Sequence, residues 1–129
     1  MIGYITVGTN NLERAAKFYD KLFAELGATR FIDMKQFVAW GTGPDKPKFS
    51  VTLPNDGKEA TVGNGIMIAL AADSTEQVDA LYKKAMDLGA TDEGLPGPRS
   101  AIPGFYAGYF RDLDGNKLNV FYMDSPAAE

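Results

Sequence analysis

The chain has 129 residues, of which 45% are hydrophobic and 23% are charged. This length and balance fit one soluble globular domain and argue against intrinsic disorder or a coiled coil. No apolar run approaches the roughly 18 residues that a membrane-spanning helix needs. The N-terminal residues show neither a basic segment nor a small-residue cleavage site, so we expect no signal peptide.

The residue types that are missing exclude several classes of protein. The chain has no cysteine and no histidine, which excludes disulfides, thiolate catalysis, iron–sulfur clusters and Ser-His-Asp triads. Any metal would have to bind to Asp, Glu and carbonyl oxygens alone. There are 13 Lys and Arg against 17 Asp and Glu, a net charge of −4. This charge predicts no nucleic-acid partner, fits a cytoplasmic protein and slightly favours cationic small ligands.

The first half of the chain predicts a strand, a helix and three further strands. Residues 2–8 are β-rich and bounded by Gly and Asn. Apolar residues then recur at helical spacing over residues 12–26, with charged residues on the opposite face. Asn10 or Asn11 caps this helix, and Gly27 ends it. The three strands that follow are predicted at residues 28–33, 36–41 and 48–53.

The pattern restarts after a polar, turn-rich segment at residues 54–64, which predicts a surface linker. Residues 65–72 predict a strand. Ser74 begins a helix, forms a capping box with Gln77, and the helix ends at Gly89. The remaining predicted elements are a short strand near residues 91–93, a Gly/Pro-rich loop at 94–104, and strands at 105–110 and 117–123 that are joined by the turn 112–116.

This restart indicates an internal duplication. The tetrapeptide Leu-Gly-Ala-Thr occurs at residues 26–29 and again at 88–91, at the end of the helix in each half. At this offset of 62 positions Gly3 falls on Gly65, and the two strand–helix segments superpose without a gap. A match at the same place in two equivalent segments is much less expected by chance than an isolated one.

We infer one α+β domain of two tandem βαβββ modules, residues 1–53 and 65–123. Two such modules predict a curved eight-stranded mixed sheet with both helices outside. The concave side of such a sheet is a natural cleft for a small-molecule ligand.

Three segments give this chain a family resemblance. They are Asn-Leu-Glu-Arg-Ala-Ala-Lys-Phe-Tyr at residues 11–19, Leu-Gly-Ala at 88–90, and Phe-Arg-Asp-Leu-Asp-Gly-Asn-Lys-Leu at 110–118. With them, the whole chain resembles the vicinal oxygen chelate superfamily of glyoxalase I, the bleomycin-resistance proteins and the extradiol dioxygenases. The resemblance is specific for fold and unspecific for function, because this fold hosts isomerases, lyases, dioxygenases and pure binding proteins.

The resemblance also implies four positions for a divalent metal, which the superfamily's enzymes fill with His and Glu. In this sequence the positions fall on Tyr4, Ser50, Asn119 and either Met67 or, by the internal repeat, Ile66. None of these side chains is a good ligand for a divalent ion. We therefore expect no metal and no cofactor, and the chemistry that depends on the metal is expected to be absent with it.

Strand alternation divides the sheet residues into a helix-facing set and a cleft-facing set. The predicted ligand-binding residues are Tyr4, Thr6, Trp40, Ser50, Thr52, Met67, Arg99, Tyr109, Asn119 and Phe121. Trp40 either stacks against the ligand or belongs to the core. Tyr106 and Tyr109 alternate across one strand, so only one of them can face the cleft.

Two groups of charged residues have competing interpretations. Arg99 on the Gly/Pro-rich loop either clamps a carboxylate or phosphate or is simply solvated. Asp112 and Asp114 resemble an acid–base pair, but turn geometry explains them more simply. Arg111 is predicted to pair with one of these two carboxylates.

The leading functional prediction is a metal-free protein that holds an amphipathic or aromatic small molecule in the cleft. The alternative is a lyase or isomerase that acts without metal through Tyr4, Tyr109 and Arg99. An enzyme needs a group that takes a proton near neutral pH, and the absence of His favours binding. The resemblance also implies a homodimer, and a third possibility is an interaction module in such a dimer.

Overall fold

The computed structural model describes residues 1–124, which divide into a first unit, Met1–Gly65, and a second unit that begins at Ile66. The first unit contains β1 (Tyr4–Gly8), α1 (Leu12–Ala24), β2 (Thr29–Asp33), β3 (Phe37–Gly41) and β4 (Lys48–Thr52). The second contains β5 (Ile68–Ala71), α2 (Thr75–Asp87), β6 (Thr91–Pro98), β7 (Phe105–Arg111) and β8 (Lys117–Met123). The predicted α+β fold of two βαβββ modules is confirmed.

Each unit has its own four-stranded mixed sheet. The strand order is β1-β4-β3-β2 in the first unit and β5-β8-β7-β6 in the second. In both units the first strand pairs in parallel with the last, and the other neighbours are antiparallel. The joining of the two sheets into one curved surface stays a prediction. Neither helix of residues 1–124 has the length and hydropathy that crossing a membrane requires.

The two helices begin with matched capping contacts. The Asn11 side chain accepts a hydrogen bond from the backbone N–H of Arg14 at 3.0 Å, and Ser74 accepts one from Gln77 at 3.1 Å. The Gln77 side chain in turn accepts from the N–H of Asp73 at 2.6 Å rather than from that of Ser74. The capping box of α2 is therefore present, with its return bond shifted by one residue.

The internal repeat has two offsets rather than one. The N-caps Asn11 and Ser74 are 63 positions apart. The helix-ending glycines Gly27 and Gly89, with φ of 71° and 101°, are 62 positions apart. Both helices have 13 residues, so the extra residue of the first module lies between the end of α1 and Gly27. The expected superposition without a gap is wrong, although both helices end with glycine in the left-handed conformation.

Two strands of the second unit differ from the predicted bounds. β5 begins three residues later than expected, because Gly65 has a φ of 95° that a strand cannot contain. β6 extends through residues 94–98, which were predicted as loop. It is an edge strand, where the missing N–H of Pro96 and Pro98 is tolerated. Register shifts on either side of Gly94 absorb its irregularity.

Trp40 is a core residue of the first unit. It is 1% exposed, and its ring centroid lies 5.6 Å from that of Tyr19 and 5.7 Å from that of Phe23 on α1. Its indole N–H donates to Asp20 at 2.9 Å. Asp20 also accepts two hydrogen bonds from Arg30, which hold the pKa of the Asp20 carboxyl below its usual range. The prediction that Trp40 binds the ligand is therefore wrong, and the core alternative is correct.

The turn between β7 and β8 is organised by a buried carboxylate. Asp112 is 5% exposed and accepts from the backbone N–H groups of Asp114 and Asn116, both at 2.9 Å. Its second oxygen accepts from the Asn116 amide at 3.0 Å. The turn interpretation of this motif thus has a physical basis. Arg111 does not pair with these aspartates as predicted but with Glu93 on the neighbouring strand, at 3.1 Å.

Candidate functional site

The sheet of the second unit has two chemically different faces. α2 covers one face, where Tyr106 donates to Asp79 at 2.6 Å, a bond that raises the pKa of Tyr106. A Cβ built on Gly108 of this face would lie 3.2 Å from the ring of Tyr82 on α2. Strand alternation and register place the opposite set on the other face, namely Phe105, Ala107, Tyr109, Lys117, Asn119 and Phe121. Tyr109, and not Tyr106, therefore faces away from α2.

Tyr82 links α2 to the irregular strand β6. Its hydroxyl donates to Asp92 at 2.6 Å, and the same carboxylate oxygen accepts from the N–H of Gly94 at 2.9 Å. Burial and the hydrogen bond to Asp92 raise the pKa of Tyr82 to about 12. The bond from Tyr82 lowers the pKa of Asp92. These contacts fix the backbone at Gly94, which pairs with Tyr109.

Tyr82→Phe is expected to lower the free energy of unfolding by about 1 kcal/mol at pH 7, the net value of one hydrogen bond. The difference in the free energy of unfolding between wild type and Tyr82→Phe should become smaller between pH 10 and 12. The folded-state pKa is raised, so the contribution of Tyr82 is complete below its ordinary pKa of about 10 and is lost as the pH rises through about 12. Urea unfolding of both proteins from pH 7 to 12 measures this.

Tyr122→Phe is the matched control for Tyr82→Phe. Among residues 1–124 the Tyr122 hydroxyl has no hydrogen bond, so removing it should change the free energy of unfolding at pH 7 by less than about 0.5 kcal/mol. Unfolding curves of wild type and Tyr82→Phe that stay equally far apart up to pH 12 would contradict the proposed role of this hydroxyl.

Tyr109 is the centre of the sheet face that points away from α2. The guanidinium carbon of Arg99 lies 5.1 Å from the centroid of its ring, and the ammonium of Lys117 lies 5.7 Å from it. Both distances are within the range of cation–π attraction. A Cβ built on Gly94 would lie 3.2 Å from the Tyr109 ring and 3.4 Å from Arg99. Glycine at position 94 thus leaves the space in which the ring and guanidinium meet.

Arg99 directly follows β6 and is held in place by backbone carbonyls. One terminal nitrogen donates to the carbonyl of Leu95 at 2.8 Å, and the other donates to Gly97 and Pro98 at 3.3 Å. The side chain is half-buried. Arg99 is therefore an ordered cation above an aromatic ring rather than a solvated loop residue.

Asn119 pairs with Tyr109 across β7 and β8 and is 1% exposed. Its side-chain oxygen is buried, and within residues 1–124 it has no hydrogen-bond partner. Leaving a buried acceptor unsatisfied costs about 1 to 3 kcal/mol, so folded proteins contain few such atoms. A ligand that offers an N–H or O–H at this position would remove the cost. Phe121, the next residue on this face, stacks against Phe105 with centroids 5.6 Å apart.

The predicted polar residues of the first unit lie on the sheet face away from α1. Ser50 is fully buried, and its hydroxyl donates to the carbonyl of Ile5 at 2.5 Å. The Thr6 hydroxyl lies 2.9 Å from the Ser50 oxygen. Because the Ser50 proton is already donated to Ile5, Thr6 is the donor in this bond and Ser50 the acceptor. Thr52 donates to the carbonyl of Gln36 at 3.0 Å. The hydroxyls of this face are therefore satisfied internally, which distinguishes them from the amide of Asn119.

The strand registers identify the residue that corresponds to Tyr4. Tyr4 lies two residues before the partner of Ser50 on β1. Met67 lies two residues before the partner of Asn119 on β5. Met67, rather than Ile66, therefore occupies the equivalent position. Ile66 and Met67 lie just before β5, and both are exposed. Tyr4 is also exposed, at 65%.

Comparison with known proteins assigns the family. The model of the glyoxalase/bleomycin resistance protein/dioxygenase superfamily matches residues 1–120. This chain belongs to that superfamily. A glyoxalase/bleomycin resistance protein from Albidiferax ferrireducens is 36% identical, with a TM-score of 0.86 and coverage of 95% of this chain and 98% of that one. No curated protein is significantly similar to this sequence.

More distant members of the superfamily share the fold. A lactoylglutathione lyase from Agrobacterium tumefaciens is 20% identical, with a TM-score of 0.70 and coverage of 95% of this chain and 92% of that one. A glyoxalase/bleomycin resistance protein/dioxygenase family enzyme from Burkholderia phytofirmans is 17% identical, with a TM-score of 0.72 and coverage of 94% and 97%. At these identities the similarity shows the fold alone.

The divalent metal of the superfamily's enzymes does not fit the residues at its four positions. They offer the phenol of Tyr4, the hydroxyl of Ser50, the thioether of Met67 and the amide of Asn119, with no carboxylate and no imidazole. The Ser50 hydroxyl is also engaged by the Ile5 carbonyl. Within residues 1–124, no three His, Cys, Asp or Glu side chains form a cluster that could hold a metal.

Lys117 and Gly94 are candidate site residues that the sequence analysis missed. Lys117 alternates in step with Asn119 and Phe121 on the same strand, so the sequence could have placed it on their face. Gly94 had no such signal, because its pairing with Tyr109 follows a register shift in β6.

Proposed function

We propose that this protein is a small-molecule-binding member of the superfamily that holds an amphipathic or aromatic ligand without a divalent metal. The observation that carries the proposal is the unpaired, buried side-chain oxygen of Asn119, at a position where the superfamily's enzymes place a metal ligand. The aromatic rings of Tyr109 and Phe121 share its sheet face. Aromatic walls with a few polar groups are typical of small-molecule sites.

The remaining predicted contacts extend this proposal. Tyr4, Thr6, Ser50, Thr52 and Met67 stay predicted ligand contacts. Their hydroxyl, thioether and phenol groups suit an uncharged part of the ligand better than a metal ion.

We also propose a cytoplasmic homodimer with no nucleic-acid partner. The edge strand β2 is exposed along its whole length and carries the exposed side chains of Phe31 and Ile32. An open edge of this kind supports pairing with a second copy. The net charge of −4 supports the absence of nucleic acid.

Asn119→Leu is expected to raise the melting temperature of the ligand-free protein and to weaken ligand binding. Replacing an unsatisfied amide with an apolar side chain removes a cost of about 1 kcal/mol or more, which corresponds to about 3 to 5 °C for a domain of this size. The probe is anilinonaphthalene sulfonate, an aromatic amphipathic dye, titrated into full-length protein and followed by fluorescence. Thermal unfolding by circular dichroism gives the stability.

Two outcomes would contradict the proposed function. The first is a wild-type protein that neither binds the dye nor retains any small molecule in native mass spectrometry. The second is stoichiometric binding of Ni²⁺, Zn²⁺ or Mn²⁺ in calorimetry that is abolished by Tyr4→Phe or Asn119→Leu. A purified protein that turns over a small molecule instead would favour the metal-free lyase or isomerase.

A further inference from the structure

Two cations near Asn119 lack carboxylate partners. Arg99 and Lys117 both approach the ring of Tyr109, and within residues 1–124 neither forms an ion pair. Arg30 and Arg111, by contrast, are paired with carboxylates. The chain as a whole has more acidic than basic residues, whereas Arg99 and Lys117 make the surroundings of Tyr109 locally positive. Since no carboxylate neutralises either cation, an anion bound beside Arg99 would gain Coulombic attraction, and Lys117 adds to the local positive potential.

Contacts within the protein hold the Arg99 side chain in place. The carbonyls of Leu95, Gly97 and Pro98 engage its two terminal nitrogens, while its Nε–H donates to no other described residue. A cation whose side chain is already fixed loses less entropy when an anion binds. A charged hydrogen bond to a carboxylate is also stronger than a neutral one.

We propose that the ligand is an aromatic carboxylate that also carries a hydrogen-bond donor. The carboxylate binds Arg99, with Lys117 as a second nearby cation, the ring lies against Tyr109 and Phe121, and the donor reaches the unpaired oxygen of Asn119. This inference rests on the proposed function and adds the ligand's charge to it. It reverses the slight preference for cationic ligands that the overall charge predicted, because the local charge decides which ions bind.

The probes are benzoate and the 2-, 3- and 4-hydroxybenzoates, each compared with the corresponding uncharged benzyl alcohol. Calorimetry on the full-length protein should show that at least one hydroxybenzoate binds about tenfold more tightly than its alcohol. Arg99→Gln should weaken this hydroxybenzoate about tenfold and Lys117→Gln about threefold, as expected for one charged contact each. Asn119→Leu should reduce the hydroxybenzoate to the affinity of benzoate.

Lys83→Gln is the control, since it removes one positive charge from the exposed surface of α2. It should leave every affinity within about twofold, because exposed distant charges are screened. Benzyl alcohols that bind as tightly as the acids, with no effect of Arg99→Gln, would overturn the carboxylate assignment and leave small-molecule binding intact. Phenyl phosphate that binds more tightly than every carboxylate would assign the site to phosphate esters instead. If the protein binds none of these compounds and does not bind anilinonaphthalene sulfonate, the proposed function itself is overturned.

Discussion

Replacing Trp40 with alanine is expected to lower the free energy of unfolding by about 3 to 5 kcal/mol. The indole is 1% exposed and packs against Tyr19 and Phe23, so its removal leaves a cavity and exposes apolar surface. Asp20 also loses the indole N–H that it accepts at 2.9 Å. A domain is usually stable by only about 5 to 15 kcal/mol, so the loss is a large share. Urea unfolding followed by far-ultraviolet circular dichroism measures it, since the variant has no tryptophan.

Two variants calibrate the Trp40 result. Trp40→Phe keeps an aromatic ring but loses the donor to Asp20 and part of the volume, so a smaller cost of about 1 to 2 kcal/mol is expected. Phe31→Ala removes an aromatic side chain that is 55% exposed and contacts Lys48. It should cost less than about 1 kcal/mol. Equal destabilisation by Trp40→Ala and Phe31→Ala would mean that Trp40 is not in the core.

The duplicated fold was predictable because local signals agree with the tertiary structure in both halves. Each helix has an apolar stripe, a side-chain cap at Asn11 or Ser74, and a closing glycine. Such agreement between local and global preferences is common in natural sequences. The extent of β6 was not predictable, because its Pro96 and Pro98 are tolerated only at a sheet edge. Edge position is a property of the assembled sheet and is not visible in the segment.

The candidate site was predictable only where strand residues alternate. Tyr109 and Asn119 lie on strands with identifiable faces, and the structure places them side by side. Trp40 lies in a strand that is apolar after Gln36, so alternation could not assign its face. Its pairing with Phe49 settles the matter, since both rings lie beneath α1. The position of Arg99 over a ring depends on carbonyls in an irregular strand, which the pattern alone could not supply.

Asp112→Ala is expected to lower the free energy of unfolding by about 2 to 4 kcal/mol, the largest effect of any single polar change considered for this protein. Asp112 accepts from two backbone N–H groups and from the Asn116 amide, and both residues are 5% exposed. Alanine removes the acceptor that these three donor groups share, and a buried group that loses its hydrogen bond costs about 1 to 3 kcal/mol. The turn joins β7 to β8, so the face that carries Tyr109 and Asn119 should loosen as well.

Asp56→Ala is the matched control for this change. Asp56 also accepts a backbone N–H in a turn, from Lys58 at 2.9 Å, but it is exposed, so water replaces the lost acceptor. Its removal should cost less than about 0.5 kcal/mol. Asp112→Asn keeps one oxygen that accepts from the backbone N–H groups. Its NH2 group, however, faces the NH2 group of Asn116, and two donors cannot form a hydrogen bond. The loss of unfolding free energy should therefore lie between those of Asp112→Ala and Asp56→Ala. If urea unfolding gives the same midpoint for Asp112→Ala and Asp56→Ala, the buried carboxylate does not organise this turn.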